Sequence, residues 1–192
     1  MKFSEREINE LLKAWLAISF AFAIVLGDGF TRDFASVFVI SLLTVGIAFL
    51  LHEIAHKYVA QQYGCWAEFR SFDKGLALAI IMATFLHVVF AAPGAVMISG
   101  LVTLEENGKI AAAGPITNLF LAVIFWFTGS LFYITSPLVV LFFSYGYAVN
   151  SFLAFFNMLP FGPLDGNKIM AWSRPMWFSL IAVAGYFTFI GL

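Results

Sequence analysis

The sequence predicts an all-α membrane protein, a polytopic helical bundle of about five full spans plus one re-entrant segment of helix and strand over residues 76–102. Of its 192 residues, 62% are hydrophobic and only 11% are charged, whereas soluble domains are roughly a quarter charged. Long apolar runs recur with short polar turns between them, and a helix of about 20 apolar residues is long enough to cross a bilayer. We expect residues 1–192 to form one integral-membrane domain without an appended soluble domain.

Charge and cysteine usage exclude other classes of protein. The formal net charge is −1 and the chain has no basic run, so nucleic acid is not an expected partner. Cys65 is the one cysteine in the sequence, which excludes an internal disulfide and a cysteine-rich metal site.

The first two spans come early in the chain. Residues 4–7 read S-E-R-E, a capping box that predicts the start of a helix, and residues 11–27 form the first apolar span. The second span runs from near residue 34 to residue 63 and would be about 43 Å long at 1.5 Å per residue. Because the apolar core of a bilayer is about 30 Å thick, this helix is expected to tilt or protrude.

The remainder of the chain alternates between polar and apolar segments. Residues 66–74 carry several charges and belong outside the hydrocarbon, whereas residues 76–92 are apolar. Residues 95–102, with β-branched residues between two glycines, could form a strand, and residues 105–108 indicate a turn. Three more apolar runs predict spans at residues 109–134, 138–159 and 176–192.

One short polar pattern lies inside the second apolar run. The sequence His52-Glu53-Ile54-Ala55-His56 places two histidines four residues apart, so that in a helix they lie on the same face. This is the H-E-x-x-H pattern, in which two imidazoles hold zinc and the carboxylate takes a proton from zinc-bound water. Burying these groups in a bilayer costs on the order of several kcal/mol unless a metal or a partner compensates. The pattern therefore predicts a metal site.

The predicted metal site needs a third ligand, because a catalytic zinc site usually has three protein ligands and an open position. The candidate is Asp165, which lies close to a span but away from the charged connections. It follows a helix broken by Pro160 and Pro163, and irregular backbone within a membrane must be buried in protein or line a wet cavity. The alternative is that Asp165 and Gly166 form an ordinary turn at a helix end.

The positions of His56 and Asp165 constrain the topology. For both to reach one ion, their helices must point in the same direction, so residues 109–134 cross the membrane once and residues 76–102 enter and return on one side. With a cytoplasmic amino terminus, Arg32 alone among the Lys and Arg residues lies on the far side, in agreement with the positive-inside rule. The amino terminus and the metal site of this multi-pass protein are therefore expected toward the cytoplasmic side of the cell membrane.

Three motifs occur in the order found in a known family. HEIAH at residues 52–56, GPITN at residues 114–118 and NMLPFGPLDG at residues 157–166 together resemble the site-2 proteases, which are zinc-dependent intramembrane metalloproteases. From residues 1–192 we expect two departures from that family, the absence of an appended domain and a longer apolar segment before the strand. These departures concern substrate choice and gating more than the chemistry.

The resemblance implies a protease domain that hydrolyses a peptide bond within or near a transmembrane segment of a substrate protein. Zn²⁺ would be held by His52, His56 and Asp165, and Glu53 would act as the general base on the zinc-activated water. The expected partners are a transmembrane protein substrate and membrane lipid.

Two asparagines in apolar surroundings are further catalytic candidates. Asn157 and Asn118 could stabilise the oxyanion or hold a substrate strand, although asparagine in membranes also commonly bonds neighbouring helices together. A substrate helix must unwind to be cut, and residues 95–102 could pair with its extended form or be a simple hairpin. His87 is interpreted as a hydrogen-bonding residue that faces the bundle rather than as a ligand.

Two other function classes fit part of the sequence. A zinc transporter would also place histidine and aspartate in spans, but it needs a polar path from both faces, and the second span offers only Ser41 and Thr44 beyond the site. An inactive relative that binds membrane proteins would typically lose Glu53 or a ligand, and all four residues are present. Both classes stay open as alternatives to the protease.

Overall fold

The computed structural model describes residues 1–89, 93–131 and 136–191. Among these residues, four helices are long and apolar enough to cross a membrane: Glu5–Leu26, Phe34–Gln62, Leu104–Leu131 and Pro137–Asn157. The same part of the chain contains one small sheet of two strands. The predicted fold class, a helical membrane protein, is confirmed.

The elements follow one another with short connections. The helices are α1 (Glu5–Leu26), α2 (Phe34–Ser41), α3 (Ile47–Gln62), α4 (Asp73–Leu86), α5 (Leu104–Leu131), α6 (Pro137–Asn157), α7 (Asp165–Trp172) and α8 (Arg174–Phe189). The strands are β1 (Trp66–Ser71) and β2 (Gly94–Ser99). A π-helical turn, Leu42–Gly46, joins α2 to α3, so that Phe34–Gln62 is one helix of 29 residues.

Some of the predicted spans are only partly tested by the structure. Helix α8 corresponds to the last predicted span, but its 16 residues are about 24 Å long, less than the bilayer core of about 30 Å, so its crossing stays a prediction. The predicted span ends at Ala92, Ile134 and Leu192 lie outside the described residues. The re-entrant path of residues 76–102 also stays a prediction, although its strand is present as β2.

Contacts divide the chain into two compact units. The first unit comprises Met1–Leu50 and Glu68–Met97, and the second comprises Leu51–Ala67 and Ile98–Leu192. That residues 1–192 form a single domain stays a prediction.

In the first unit, the start of α1 binds the edge of β1. Ser4 caps α1, its Oγ atom accepting a hydrogen bond from the Glu7 amide at 3.1 Å, which confirms the predicted helix start. The Glu7 carboxylate accepts from the Phe69 amide at 2.9 Å, and the Glu10 carboxylate accepts from the Ser71 amide at 2.9 Å. Because these amides of β1 already have partners, this edge of the sheet is protected against the addition of another strand.

The long helix Phe34–Gln62 is interrupted by the π-helical turn at Leu42–Gly46. Trp15 of α1 donates its Nε1–H to the Leu42 carbonyl at 3.0 Å. Gly46 lies so close to Trp15 that a Cβ atom there would be 2.3 Å from the indole. The apolar run predicts a continuous helix, and the π turn within it accompanies this contact with α1.

The polar segment at residues 66–74 leads from the sheet into α4. Strands β1 and β2 pair with each other, and Lys13 of α1 donates a hydrogen bond to Asp73, the first residue of α4, at 2.5 Å. This hydrogen bond lowers the pKa of the Asp73 carboxyl, so the ion pair is present at neutral pH. Asp73, the acidic member of this ion pair, lies in the segment predicted to be outside the hydrocarbon.

In the second unit, α5 packs against α6 and α7, and α8 packs against the same two helices. Trp177 of α8 donates its Nε1–H to the Met158 carbonyl, just after α6, at 2.7 Å. Met158 and Ile169 are buried in one apolar cluster with Ala111 and Ala112 of α5. This cluster holds α7 against α5, and α7 carries the predicted third metal ligand.

The predicted turn at residues 105–108 is wrong. These residues form the first turn of α5, which begins at Leu104. Thr103 Oγ1 accepts a hydrogen bond from the Glu106 amide at 3.2 Å, and the Glu106 carboxylate accepts one from the Thr103 amide at 2.8 Å. This is a second capping box, but the Asn107-Gly108 pair beside it favours a turn when the sequence is considered alone.

Candidate metal centre

Two histidines of α3 converge on one point. His52 and His56 are four residues apart in this helix and therefore lie on the same face. Both are buried, with 5% and 7% of their surface exposed, and their Nε2 atoms are 3.0 Å apart. The predicted pairing of the two imidazoles at helical spacing is present in the structure.

Asp165 meets the two histidines from a distant part of the chain. It is the first residue of α7 and is 6% exposed. Its Oδ2 atom lies 3.3 Å from His52 Nε2 and 3.1 Å from His56 Nε2. Within the described residues, these three side chains form a group whose ligand atoms are close enough to hold one metal ion.

Each imidazole is oriented by an acceptor at its other nitrogen. His52 Nδ1 lies 2.6 Å from Asn118 Oδ1, and His56 Nδ1 lies 2.8 Å from the Ile110 carbonyl oxygen. Carbonyl oxygens only accept hydrogen bonds, so each Nδ1 carries a proton and donates it. Each Nε2 then keeps its lone pair for a metal, which is the usual arrangement of metal-binding histidines.

Three electron-pair donors therefore face one another at the site. The two Nε2 lone pairs and the Asp165 carboxylate converge, and in the described part of the chain no hydrogen-bond donor satisfies Asp165 Oδ2. Such an arrangement is unfavourable unless a cation lies at its centre. Ligands bound at about 2.0 Å to a tetrahedral ion are about 3.3 Å apart, close to the observed separations of 3.0, 3.1 and 3.3 Å. His52, His56 and Asp165 thus fit the predicted Zn²⁺.

Two glycines make room for this site. At Gly114 in α5, a Cβ atom would lie 2.5 Å from the Nε2 atoms of both His52 and His56, so a side chain there would enter the space that the metal needs. At Gly166 in α7, a Cβ atom would lie 2.1 Å from the Met158 carbonyl oxygen. The GPITN and LDG motifs therefore each contribute a glycine at a point of close approach.

The other predicted site residues occupy different positions. Glu53 follows His52 in α3 and is half-buried. Asn118 is completely buried and lies behind His52, on the Nδ1 side of the ring. Asn157, the last residue of α6, donates a hydrogen bond to the Leu153 carbonyl of its own helix at 3.0 Å. The catalytic roles of Glu53, Asn118 and Asn157 stay predictions.

Two contacts near the site were not anticipated from the sequence. Asn150 of α6 accepts a hydrogen bond from the Asn118 amide at 2.9 Å, and Lys168 Nζ lies 3.8 Å from Asp165 Oδ1. Asn150 is a polar residue inside an apolar span, which is itself a signal of function, and Lys168 is one helical turn after the aspartate.

His87 lies at the end of α4 in the first unit, where its side chain is exposed rather than facing the bundle.

The fold and the site define a class of protein, a helical membrane protein with a buried His-His-Asp centre that fits zinc. Over 92% of its length, the chain is 43% identical to a protein of Methanocaldococcus jannaschii named "Putative zinc metalloprotease", of which it covers 89%. Over 65% of its length, it is 26% identical to another protein of that organism named "Zinc metalloprotease", of which it covers 31%.

The chain belongs to the zinc metalloprotease family that these archaeal proteins represent. Neither a protein-family model nor a solved structure matches it.

Proposed function

We propose that this protein is an intramembrane metalloprotease of the site-2 type, which hydrolyses a peptide bond within or near a transmembrane segment of a substrate protein. The observation that carries the proposal is the convergence of His52, His56 and Asp165, with Glu53 beside them in sequence, on a helix long and apolar enough to cross a membrane. Ionisable groups are costly to bury in lipid and mark functional sites where they occur there. A zinc protease with its ligands on such a helix would act on peptide bonds at membrane depth.

The proposed reaction gives each residue a role. Bound zinc would supply a Lewis acid that lowers the pKa of a water molecule to about 7 and polarises a carbonyl group. His52, His56 and Asp165 would hold the ion. Glu53 accepts the proton of the attacking water and delivers it to the leaving amide nitrogen. The water oxygen bonds to the carbonyl carbon and the C–N bond breaks, which releases a carboxylic acid and an amine.

The substrate would bind as an extended strand. A helix hides its peptide bonds in its own hydrogen bonds, so the substrate must unwind before it is cut. Carboxylates of Glu7 and Glu10 already bind amides on one edge of β1, which leaves β2 as the strand for an added partner. Half-buried and exposed residues alternate along Gly94–Ser99, as in a strand with one open face.

The proposed location is a cell membrane, with the amino terminus and the metal centre toward the cytoplasm. In this orientation, Arg32 alone among the Lys and Arg residues of the sequence lies on the far side. The proposal therefore depends on the positive-inside rule.

The decisive test is cleavage of a transmembrane substrate by detergent-purified protein with zinc, using the wild type and Glu53→Gln. The wild type is expected to cleave, and Glu53→Gln is expected to lower kcat by at least about 100-fold, because a general base typically contributes 10²–10⁴-fold. Zinc content is expected to be equal in both proteins, since Glu53 is not a ligand. Asp73→Asn, which changes an exposed carboxylate in the first unit, is the control and should cleave normally.

Equal cleavage by both proteins, or cleavage by neither against a panel of substrates, would contradict the proposal. The same preparation distinguishes the alternatives. A zinc transporter would carry zinc into proteoliposomes without cutting any substrate, and an inactive relative would bind the substrate and leave it intact.

A further inference from the structure

We infer that Asn150 is a positioning residue for the metal centre, because through Asn118 it determines which nitrogen of His52 is available to the ion. The inference rests on His52 as a metal ligand in the proposed function. It concerns how the ligand is held and not the identity of the substrate.

Three hydrogen bonds connect the ligand on α3 to the backbone of α6. His52 Nδ1 lies 2.6 Å from Asn118 Oδ1, and Asn118 Nδ2 donates to Asn150 Oδ1 at 2.9 Å. Asn150 Nδ2 in turn donates to the Gly146 carbonyl oxygen at 2.8 Å. Both asparagines are completely buried, so these amides do not exchange their partners freely with water.

The Gly146 carbonyl fixes which atom donates and which accepts in each of these three hydrogen bonds. The Gly146 oxygen is a backbone carbonyl and can only accept, so Asn150 must present its Nδ2 atom to it and its Oδ1 atom to Asn118. Asn118 must then present Nδ2 to Asn150 and Oδ1 to His52. His52 therefore donates from Nδ1 and keeps the lone pair of Nε2. A carbonyl on α6 thus selects the tautomer of a metal ligand on α3.

The second histidine provides an internal comparison. His56 Nδ1 donates directly to the Ile110 carbonyl oxygen at 2.8 Å, so its acceptor belongs to the backbone and not to a side chain. A substitution at Asn150 is therefore expected to affect His52 and to leave His56 unchanged. If Asn150 only held α5 and α6 together, as asparagines in membranes often do, its loss would disturb both histidines.

The experiment uses residues 1–192 in detergent, labelled with ¹⁵N in the three histidines, so that each ring N–H signal can be assigned. Asn150→Leu removes both polar atoms. Asn150→Asp keeps an oxygen that accepts from Asn118 and, when protonated, a hydroxyl that donates to the Gly146 carbonyl. Ser151→Ala changes the next residue of α6, which is also buried, and is the matched control.

Asn150→Leu is expected to shift or lose the His52 Nδ1–H signal, to retain that of His56, and to raise the zinc Kd by about 10- to 100-fold. The Kd is measured by competition with a fluorescent chelator. Asn150→Asp is expected to restore the His52 signal and to bring the zinc Kd back to within about threefold of the wild type. This loss of affinity is smaller than the loss of about 10- to 100-fold that follows when a residue supporting a metal ligand is removed. Ser151→Ala is expected to match the wild type in both measurements.

The inference is overturned if Asn150→Leu leaves the His52 signal and the zinc Kd unchanged. It is also overturned if both histidine signals change together, or if Asn150→Asp is as impaired as Asn150→Leu. The ring N–H signals are read with or without zinc and without any substrate. Absence of proteolysis alongside the expected signals would therefore count against the proposed function alone.

Discussion

Close approach at single residues determines whether three ligands can meet in this protein. Gly114 faces the Nε2 atoms of His52 and His56 at a distance that leaves no space for a methyl group. The GPITN motif therefore contributes two residues to the site: Gly114, which has no side chain, and Asn118, which supplies an amide. Neither contribution follows from the motif's spacing alone, because both depend on which helix lies opposite.

Gly114→Ala is expected to weaken zinc binding by at least about 10-fold. A loss of this size is typical when a residue that hydrogen-bonds to a metal ligand is removed. The physical reason is that the added Cβ atom would be 2.5 Å from both ligand nitrogens. The same clash is present in the metal-free protein, where overpacking costs about 1–3 kcal/mol and the helix preference of alanine over glycine returns about 1 kcal/mol, so the metal-free variant is expected to melt at the same temperature as the metal-free wild type or slightly below it. Chelator competition gives the zinc affinity, and a thermal melt of the metal-free protein gives the stability.

The matched control is Gly185→Ala in α8. A Cβ atom there would meet Phe155 at 3.6 Å, which is an ordinary van der Waals contact, so zinc affinity should not change. Equal zinc affinity in Gly114→Ala and the wild type would show that the space beside the two imidazoles is not needed for the metal.

At the scale of elements, the loop from α6 to α7 carries the third ligand to the site. The loop begins at Met158, whose carbonyl accepts from Trp177 of α8 and lies against Gly166 of α7. The prolines of this loop predict that the helix is broken here, as it is. The partner that holds the broken segment comes from α8, and no local pattern indicates it.

Trp177→Phe is expected to raise the zinc Kd by about 3- to 10-fold, because a hydrogen bond contributes about 1 kcal/mol and this one restrains the segment before Asp165. Phenylalanine keeps most of the apolar contact of the ring. Trp126→Phe in α5, where the indole is 47% exposed, is the control and should leave the Kd unchanged. If the two variants had equal affinities, the Trp177 hydrogen bond would have no part in placing the ligand.

Helix ends show why sequence patterns succeed at one element and fail at another. The capping box at Ser4 predicts the start of α1, and the structure confirms it. An equivalent box at Thr103 and Glu106 starts α5, but a turn-forming Asn-Gly pair follows it and favours the wrong interpretation. Tertiary packing of α5 against α6 and α7 overrides that local preference.

At the scale of the whole molecule, zinc is expected to contribute to folding as well as to chemistry. The ligands come from α3 and α7, which are distant in sequence, so an ion bound to both stabilises only the folded chain. An ion present at 100 times its Kd adds about 2.7 kcal/mol to the free energy of unfolding. Removing zinc from the wild type with a chelator is therefore expected to lower that free energy by about 2–4 kcal/mol, measured as a lower melting temperature in detergent.

Asp165→Ala removes one ligand and is expected to abolish this dependence on the chelator. Asp73→Ala, which removes an exposed carboxylate of the first unit, is the control and should keep it. A wild-type melting temperature that does not respond to the chelator, in protein shown to contain zinc, would mean that the ion adds nothing to stability.

The sequence by itself determined that this is a helical membrane protein, located most of its helices, and supplied His52, His56 and Asp165 as candidate metal ligands with Glu53 as candidate base. These follow from local properties: the length of apolar runs, the four-residue spacing of His52 and His56, and the presence of an isolated carboxylate in a broken helix. Only the tertiary structure decided that Asp165 reaches both imidazoles and that Asn118 is hydrogen-bonded to His52. It also decided that Asn150 accepts a hydrogen bond from Asn118. These contacts join residues on different helices, and such pairings depend on how the helices pack and not on any spacing along one of them.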